Sequence, residues 1–101
     1  MSRFEGPEMY RLIERLFPIL RSITGDGVRE TLAILGDHMG GLTVSEIPTG
    51  ETCFDWTIPN EWNLREAFIE DGTGRRIIDF KENNLHVLNY SAPVDGVFSL
   101  E

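Results

Sequence analysis

The sequence predicts an α+β fold: an N-terminal helical pair followed by a small, mainly antiparallel β-sheet. Apolar residues recur at helical spacing up to residue 41 and at a period of two beyond it. Helices that precede a run of strands, instead of alternating with them, are typical of this class. The same change of period predicts the domain organisation: an N-terminal tail at 1–8, the helical pair at 9–41, a β-rich subdomain at 42–94 and a truncated C-terminal end at 95–101.

The helical pair is indicated by an apolar stripe, by its prolines and by its glycines. Pro7 stands in a first turn, where the missing N–H has no helical partner to lose, and Pro18 interrupts the pattern. A TGDG turn follows, with Asp26 placed to cap the second helix, and Gly40-Gly41 end that helix. The stripe of the first helix consists of Met9, Leu12, Ile13, Leu16 and Phe17.

The remaining segments alternate in the manner of strands. We expect strands at 42–47, at 52–58 and at 85–90, and a hairpin that joins 67–70 to 76–80 through a DGTG turn. Within 52–58, Phe54, Trp56 and Ile58 would share one face. That face is the natural core of so small a sheet, so Trp56 is predicted to be a core residue.

Charge and composition exclude several function classes. The 101 residues carry 17 acidic and 9 basic side chains, a net charge of −8, which disfavours nucleic acids and anionic membrane surfaces as partners. No apolar run has the length of a membrane span. Cys53 is the only cysteine, so an internal disulfide is impossible and a reducing, cytoplasmic location is predicted. Two histidines without ligand spacing predict neither a metal site nor a cofactor in this chain.

The stretch FDWTIPNEWN at 54–63 contains the candidate site residues. Asp55 and Glu61 would need a sheltered site to act as an acid and a base, and the plainer interpretation is that they are solvated surface acids. Exposed indoles of Trp56 and Trp62 would stack on sugar rings, whereas packed indoles would belong to the core and to the sheet edge. Together with Asn63, these four residues form the candidate binding set.

Two long stretches carry a family resemblance. MYRLIERLFPILRSITGDGVRETLAIL and FDWTIPNEWNLREAFIEDGTGRRIIDFKENNLHVLNYSAPV resemble the N-terminal part of bacterial aminopeptidase-like proteins, some of them described as polysaccharide-biosynthesis proteins with an aminopeptidase-like domain. The turn at 21–27, RSITGDG, also resembles the opening of zinc aminopeptidases of the bacterial leucyl aminopeptidase type. The family's zinc ligands and catalytic acid lie downstream of the matching residues, so no catalytic or metal-binding residue is carried over.

The resemblance implies a non-catalytic module that packs against, or covers, the catalytic domain of a parent protein, where the zinc would reside. A homodimer built on the first helix is expected if that helix lacks its partner. The alternative is a free-standing module that binds carbohydrate or another protein. A binding module should display Trp56 and Trp62 on one exposed face, whereas a peptidase subdomain should bury at least one of them.

Overall fold

The structure, a computed structural model, describes residues 5–101. It contains two α-helices, two two-stranded antiparallel sheets and one 3₁₀ helix, in that order. The elements are α1 (Gly6–Leu16), α2 (Asp26–Met39), β1 (Thr52–Cys53), β2 (Trp56–Thr57), β3 (Phe68–Glu70), β4 (Arg76–Asp79) and the 3₁₀ helix (Asn84–His86). The predicted α+β class is confirmed.

The two helices begin and end close to the predicted residues. A proline occupies the first turn of α1, and Gly40 ends α2 in the left-handed conformation, with its N–H donating to the Gly36 carbonyl. The predicted capping role of Asp26 is wrong. Gly25 is the N-cap residue of α2 and Asp26 is the first helical residue, so its carboxylate is one position too late to cap.

The segment at 52–58 is a hairpin instead of one strand. β1 pairs with β2 through Thr52 opposite Thr57 and Cys53 opposite Trp56, and Phe54 reverses the chain with a φ of 55°. Phe54 and Trp56 therefore do not share the face of a single strand. Trp56 remains 51% exposed, so the prediction that it is a core residue is wrong.

The hairpin of β3 and β4 confirms the predicted pairing. Ile69 lies opposite Ile78, and a bulge follows at Glu70. Asp71 holds the turn because one carboxylate oxygen accepts hydrogen bonds from the hydroxyl and N–H of Thr73 and from the N–H of Arg75. These bonds, that of the Thr73 hydroxyl above all, lower the pKa of Asp71.

Two predicted strands are absent from the described residues. Residues 42–47 have no strand partner, and 85–90 contains part of the 3₁₀ helix followed by a turn. In the second case the side-chain Oδ1 of Asn83 accepts the N–H of Leu85 at 3.0 Å, which satisfies the backbone locally and competes with sheet formation.

Little of the chain is buried. Among the described residues, Ile34 is the one buried hydrophobic side chain, at 7% exposure, and Ser22 the one buried polar side chain. The radius of gyration is 17.9 Å, whereas a compact chain of this length has roughly 13 Å. The molecule measures 56 × 40 × 18 Å, a flat shape with two broad faces. Neither helix in 5–101 is long and apolar enough to cross a bilayer.

Candidate functional site

Three loops meet at the N-terminus of α2, and we call this region the three-loop junction. It comprises the RSITGDG loop at 21–27, the NEWN loop at 60–63 and the NYS loop at 89–91. Thr24 lies at its centre, since its Oγ1 accepts the N–H of Trp62 at 3.0 Å and lies 2.6 Å from the Tyr90 hydroxyl oxygen. The Tyr90 hydroxyl donates to the Asn60 carbonyl at 3.1 Å, so the Thr24 hydroxyl donates to Tyr90.

Trp62 also contacts the NYS loop of the junction. The indole N–H of Trp62 donates to the Ser91 carbonyl at 3.1 Å. Its ring stacks on Tyr90 with 5.9 Å between centroids and 24° between planes. Asn89 adds a bond from its side-chain amide to the Arg21 carbonyl at 3.0 Å. The Trp62 ring is therefore packed, and its indole N–H is hydrogen-bonded, by residues that lie about 30 positions further along the chain.

Asn63 caps α2 from a distance in sequence. Its Oδ1 accepts the N–H of Asp26 at 2.7 Å, which satisfies one of the free donors at the start of the helix. Gly25 is buried here with a φ of 98°, and a Cβ on it would lie 2.6 Å from that same Asn63 oxygen and against the Trp62 carbonyl. Only glycine permits this approach of the two loops.

The charged part of the junction is an ion-pair group around Arg29. The guanidinium binds Glu61 in a bidentate manner, with Nη1–Oε1 at 2.5 Å and Nη2–Oε2 at 3.0 Å, and also binds Asp26 at 2.8 Å. The hydrogen bond from Arg29, followed by that from Asn63, lowers the pKa of Glu61 to about 2. Because Glu61 is 42% exposed, solvent weakens these pairs.

The candidate residues from the sequence fall into two places. Glu61, Trp62 and Asn63 lie together in the junction. Asp55 and Trp56 lie in the β1–β2 hairpin and form none of the junction's hydrogen bonds. The sequence reasoning missed Thr24, Arg29 and Tyr90. Thr24 belonged to a recognisable turn, but no local pattern indicates that Tyr90, 66 residues away, is its partner.

The chemistry of the junction favours holding loops together over transforming a substrate. Glu61 is ionised at neutral pH and binds Arg29 and Asn63, so it is a poor proton donor. Thr24 both accepts and donates within the junction. Over residues 5–101, no group of three or more histidine, cysteine, aspartate or glutamate side chains is placed to bind a metal ion.

A solved structure and a curated protein resemble this chain strongly. The structure, "Crystal structure of putative peptidase from Clostridium acetobutylicum", superposes with a TM-score of 0.84 at 54% identity, covering 88% of this chain and 21% of that chain. The curated protein, from the same organism, is named "Putative polysaccharide biosynthesis protein with aminopeptidase-like domain" and is 51% identical over 96 residues. Those residues are 95% of this chain and 22% of the relative, so the chain spans about a fifth of these proteins.

The family assignment covers most of the chain. Residues 10–96 match the sequence profile of the domain of unknown function DUF4910, and the matched region contains α2, all four strands and the whole three-loop junction. The protein belongs to the DUF4910 family.

Proposed function

We propose that this chain is the non-catalytic N-terminal module of a zinc aminopeptidase-like protein, and that it packs against the catalytic domain of that protein. The observation that supports this most is the large accessible surface, to which many exposed apolar side chains contribute. The accessible surface is 8852 Å², whereas a compact monomer of 11.5 kDa exposes about 5,800 Å². Such an excess is typical of a part of a larger structure.

The apolar stripe of α1 is the best-defined docking face. Three of its side chains remain about half exposed, at 51% for Met9, 59% for Ile13 and 56% for Phe17, whereas Leu12 and Leu16 are partly covered. The opposite side of the helix is charged, with Glu14 and Arg15 among its exposed residues. An amphipathic helix gains stability chiefly by burying its apolar side, so a partner surface is required here.

That the module is non-catalytic is proposed because its described residues lack a set of side chains able to bind zinc. The zinc that the family resemblance implies for the parent would need three or four ligands, and residues 5–101 hold no such set. These residues therefore do not fit a catalytic zinc, and no hydrolytic step is assigned to them. In this proposal the zinc and the catalytic acid belong to the rest of the parent protein.

A second candidate function is supported by the β1–β2 hairpin. Phe54 is fully exposed and Trp56 is half exposed, as a module that binds a sugar or a protein would require. Trp62, however, stacks on Tyr90 instead of joining Trp56 in a platform. The packed Trp62 favours the peptidase module. A titration with oligosaccharides, read by the fluorescence of Trp56 in a Trp62→Phe variant, tests this candidate.

Carbene footprinting of α1 tests the first proposal. The labelled peptides are compared between the isolated 101-residue chain, at a concentration at which light scattering shows it to be a monomer, and the full-length C. acetobutylicum relative. We expect the α1 peptide to be labelled several-fold less in the full-length protein, because the catalytic domain covers it. A charged substitution at the position aligned with Ile13 should restore labelling, whereas one aligned with Glu14 should not. Equal labelling of α1 in both proteins would contradict the proposal.

A further inference from the structure

Residues 42–47 have a strand-like sequence but no strand partner among the described residues. In LTVSEI the first four residues alternate in polarity, and three of the six residues are β-branched. In the described residues its N–H and C=O groups form no hydrogen bonds with other protein groups. Its three apolar side chains are also exposed, at 41% for Leu42, 57% for Val44 and 61% for Ile47.

Residues that end secondary structure flank this segment on both sides. Gly40 and Gly41 have φ values of 77° and 126°, which end α2 and turn the backbone away. Pro48 closes the segment, where it ends a ladder of hydrogen bonds. Leu42 and Val44 line a shallow groove together with Leu32 of α2, so the segment begins beside that helix. A strand beside a helix is the usual arrangement at the edge of a covered sheet.

We infer that residues 42–47 form a β-strand that pairs with a strand in the catalytic domain of the parent protein, an inference that rests on the proposed function. Such pairing satisfies the N–H and C=O groups on one edge of the segment and places Leu42 and Val44 on one face of a larger sheet. A free strand edge with apolar side chains promotes aggregation and is seldom left open in a native protein.

The observations favour the parent chain over a second copy as the partner. Each copy carries a charge of −8, and Glu46 lies within the segment, so charge repulsion disfavours the edge-to-edge pairing of two copies along this segment. The curated relative has the length needed to supply a sheet: 96 residues are 22% of it, so about 340 further residues lie outside the matched region. A strand within the same protein also pairs without the entropy loss of association.

Amide hydrogen exchange of residues 42–47 tests the inference. In the isolated chain these amides should exchange at nearly the rate of an unstructured peptide. In the natural full-length relative, the aligned amides should exchange at least about 100-fold more slowly, as paired strands do. The matched control is the exposed stretch 94–96 of the same samples. Its amides test whether the protection is confined to the proposed strand.

A proline scan gives a second readout. In a strand paired on one edge, alternate N–H groups face the partner. In the full-length relative, proline at one of the two positions aligned with Thr43 and Val44, the one whose N–H faces the partner strand, should lower the unfolding midpoint more than proline at the other position. In the isolated chain neither proline should lower it. Fast exchange in the full-length protein, with the α1 peptide protected from carbene, would overturn this inference and leave the proposed function intact. An unprotected α1 peptide would instead overturn the proposed function. Pairing with a second copy would appear as slow exchange in the isolated chain at high concentration, and would also overturn the inference.

Discussion

Substitution of Gly25 by alanine should loosen the three-loop junction. The residue has φ 98° and ψ −173°, a region that side-chain-bearing residues almost never occupy. The added Cβ would also lie 2.6 Å from the Asn63 oxygen that caps α2. Both the backbone and the capping loop must move to accept it.

The magnitude follows from two contributions. Holding a residue other than glycine in this backbone region costs about 1–3 kcal/mol. Displacing Asn63 removes the bond to the Asp26 N–H, and a typical hydrogen bond contributes about 0.5–1.5 kcal/mol. We therefore expect Gly25→Ala to lower the free energy of unfolding of the junction by about 3 kcal/mol.

Urea unfolding, followed by the fluorescence of Trp62, measures this loss. A Trp56→Phe background removes the second indole, which lies in the β1–β2 hairpin. Gly40→Ala is the matched control, because Gly40 also has a positive φ of 77° but open space around its Cβ position. The control should lose only about 1 kcal/mol, the cost of a left-handed residue. A Gly25→Ala loss no greater than that of Gly40→Ala would refute the steric reasoning.

Four further outcomes are expected. The folded pKa of Glu61, about 2, lies below its ordinary value of 4.5, so the stability that Glu61 contributes is complete above pH 4.5 and is lost as the pH falls towards 2. Glu61→Gln should therefore make the urea unfolding midpoint less dependent on pH between 4.5 and 2. A pH dependence equal to that of the unsubstituted chain would contradict this assignment. Trp62→Ala should cost about 3 kcal/mol and Trp56→Ala about 1 in chemical denaturation, and the reverse order would contradict the packing described above. The isolated chain should form a homodimer through α1 that is strengthened by salt and broken by Ile13→Asp; light scattering that gives 11.5 kDa at every salt concentration would exclude it. Purified chain should retain no stoichiometric zinc after dialysis and show no chelator-sensitive peptidase activity, and either finding would overturn the non-catalytic proposal.

The correct sequence predictions concern structure that is encoded locally. The apolar stripe and Pro7 predict α1, and the DGTG turn predicts the β3–β4 hairpin, because every signal lies within a few residues of the element. The errors have a common cause. Phe54 reverses the chain without a glycine signal, and Asn83 caps a short 3₁₀ helix where alternation predicted a strand. Local backbone geometry decided both segments, through the positive φ of Phe54 and through the bond from the Leu85 N–H to the Asn83 side chain, and periodicity does not detect it.

The junction was only half predictable. Glu61, Trp62 and Asn63 were predicted as candidate binding residues because one short stretch combines a carboxylate, an indole and an amide. Their partners, Arg29 and Tyr90, stand about 30 residues away in opposite directions along the chain. Such pairings depend on the tertiary path of three loops, so a single sequence contains no local signal for them.

The flat shape also determines how the isolated chain responds to denaturant and heat. An unfolded chain of 11.5 kDa exposes about 16,700 Å², so folding removes about 7,800 Å² from water, whereas a compact monomer would remove about 10,900 Å². Both the urea m-value and the heat capacity change of unfolding scale with this area. Both should be about a quarter below those of a compact domain of equal length, which makes the urea transition broad and the stability curve shallow with temperature.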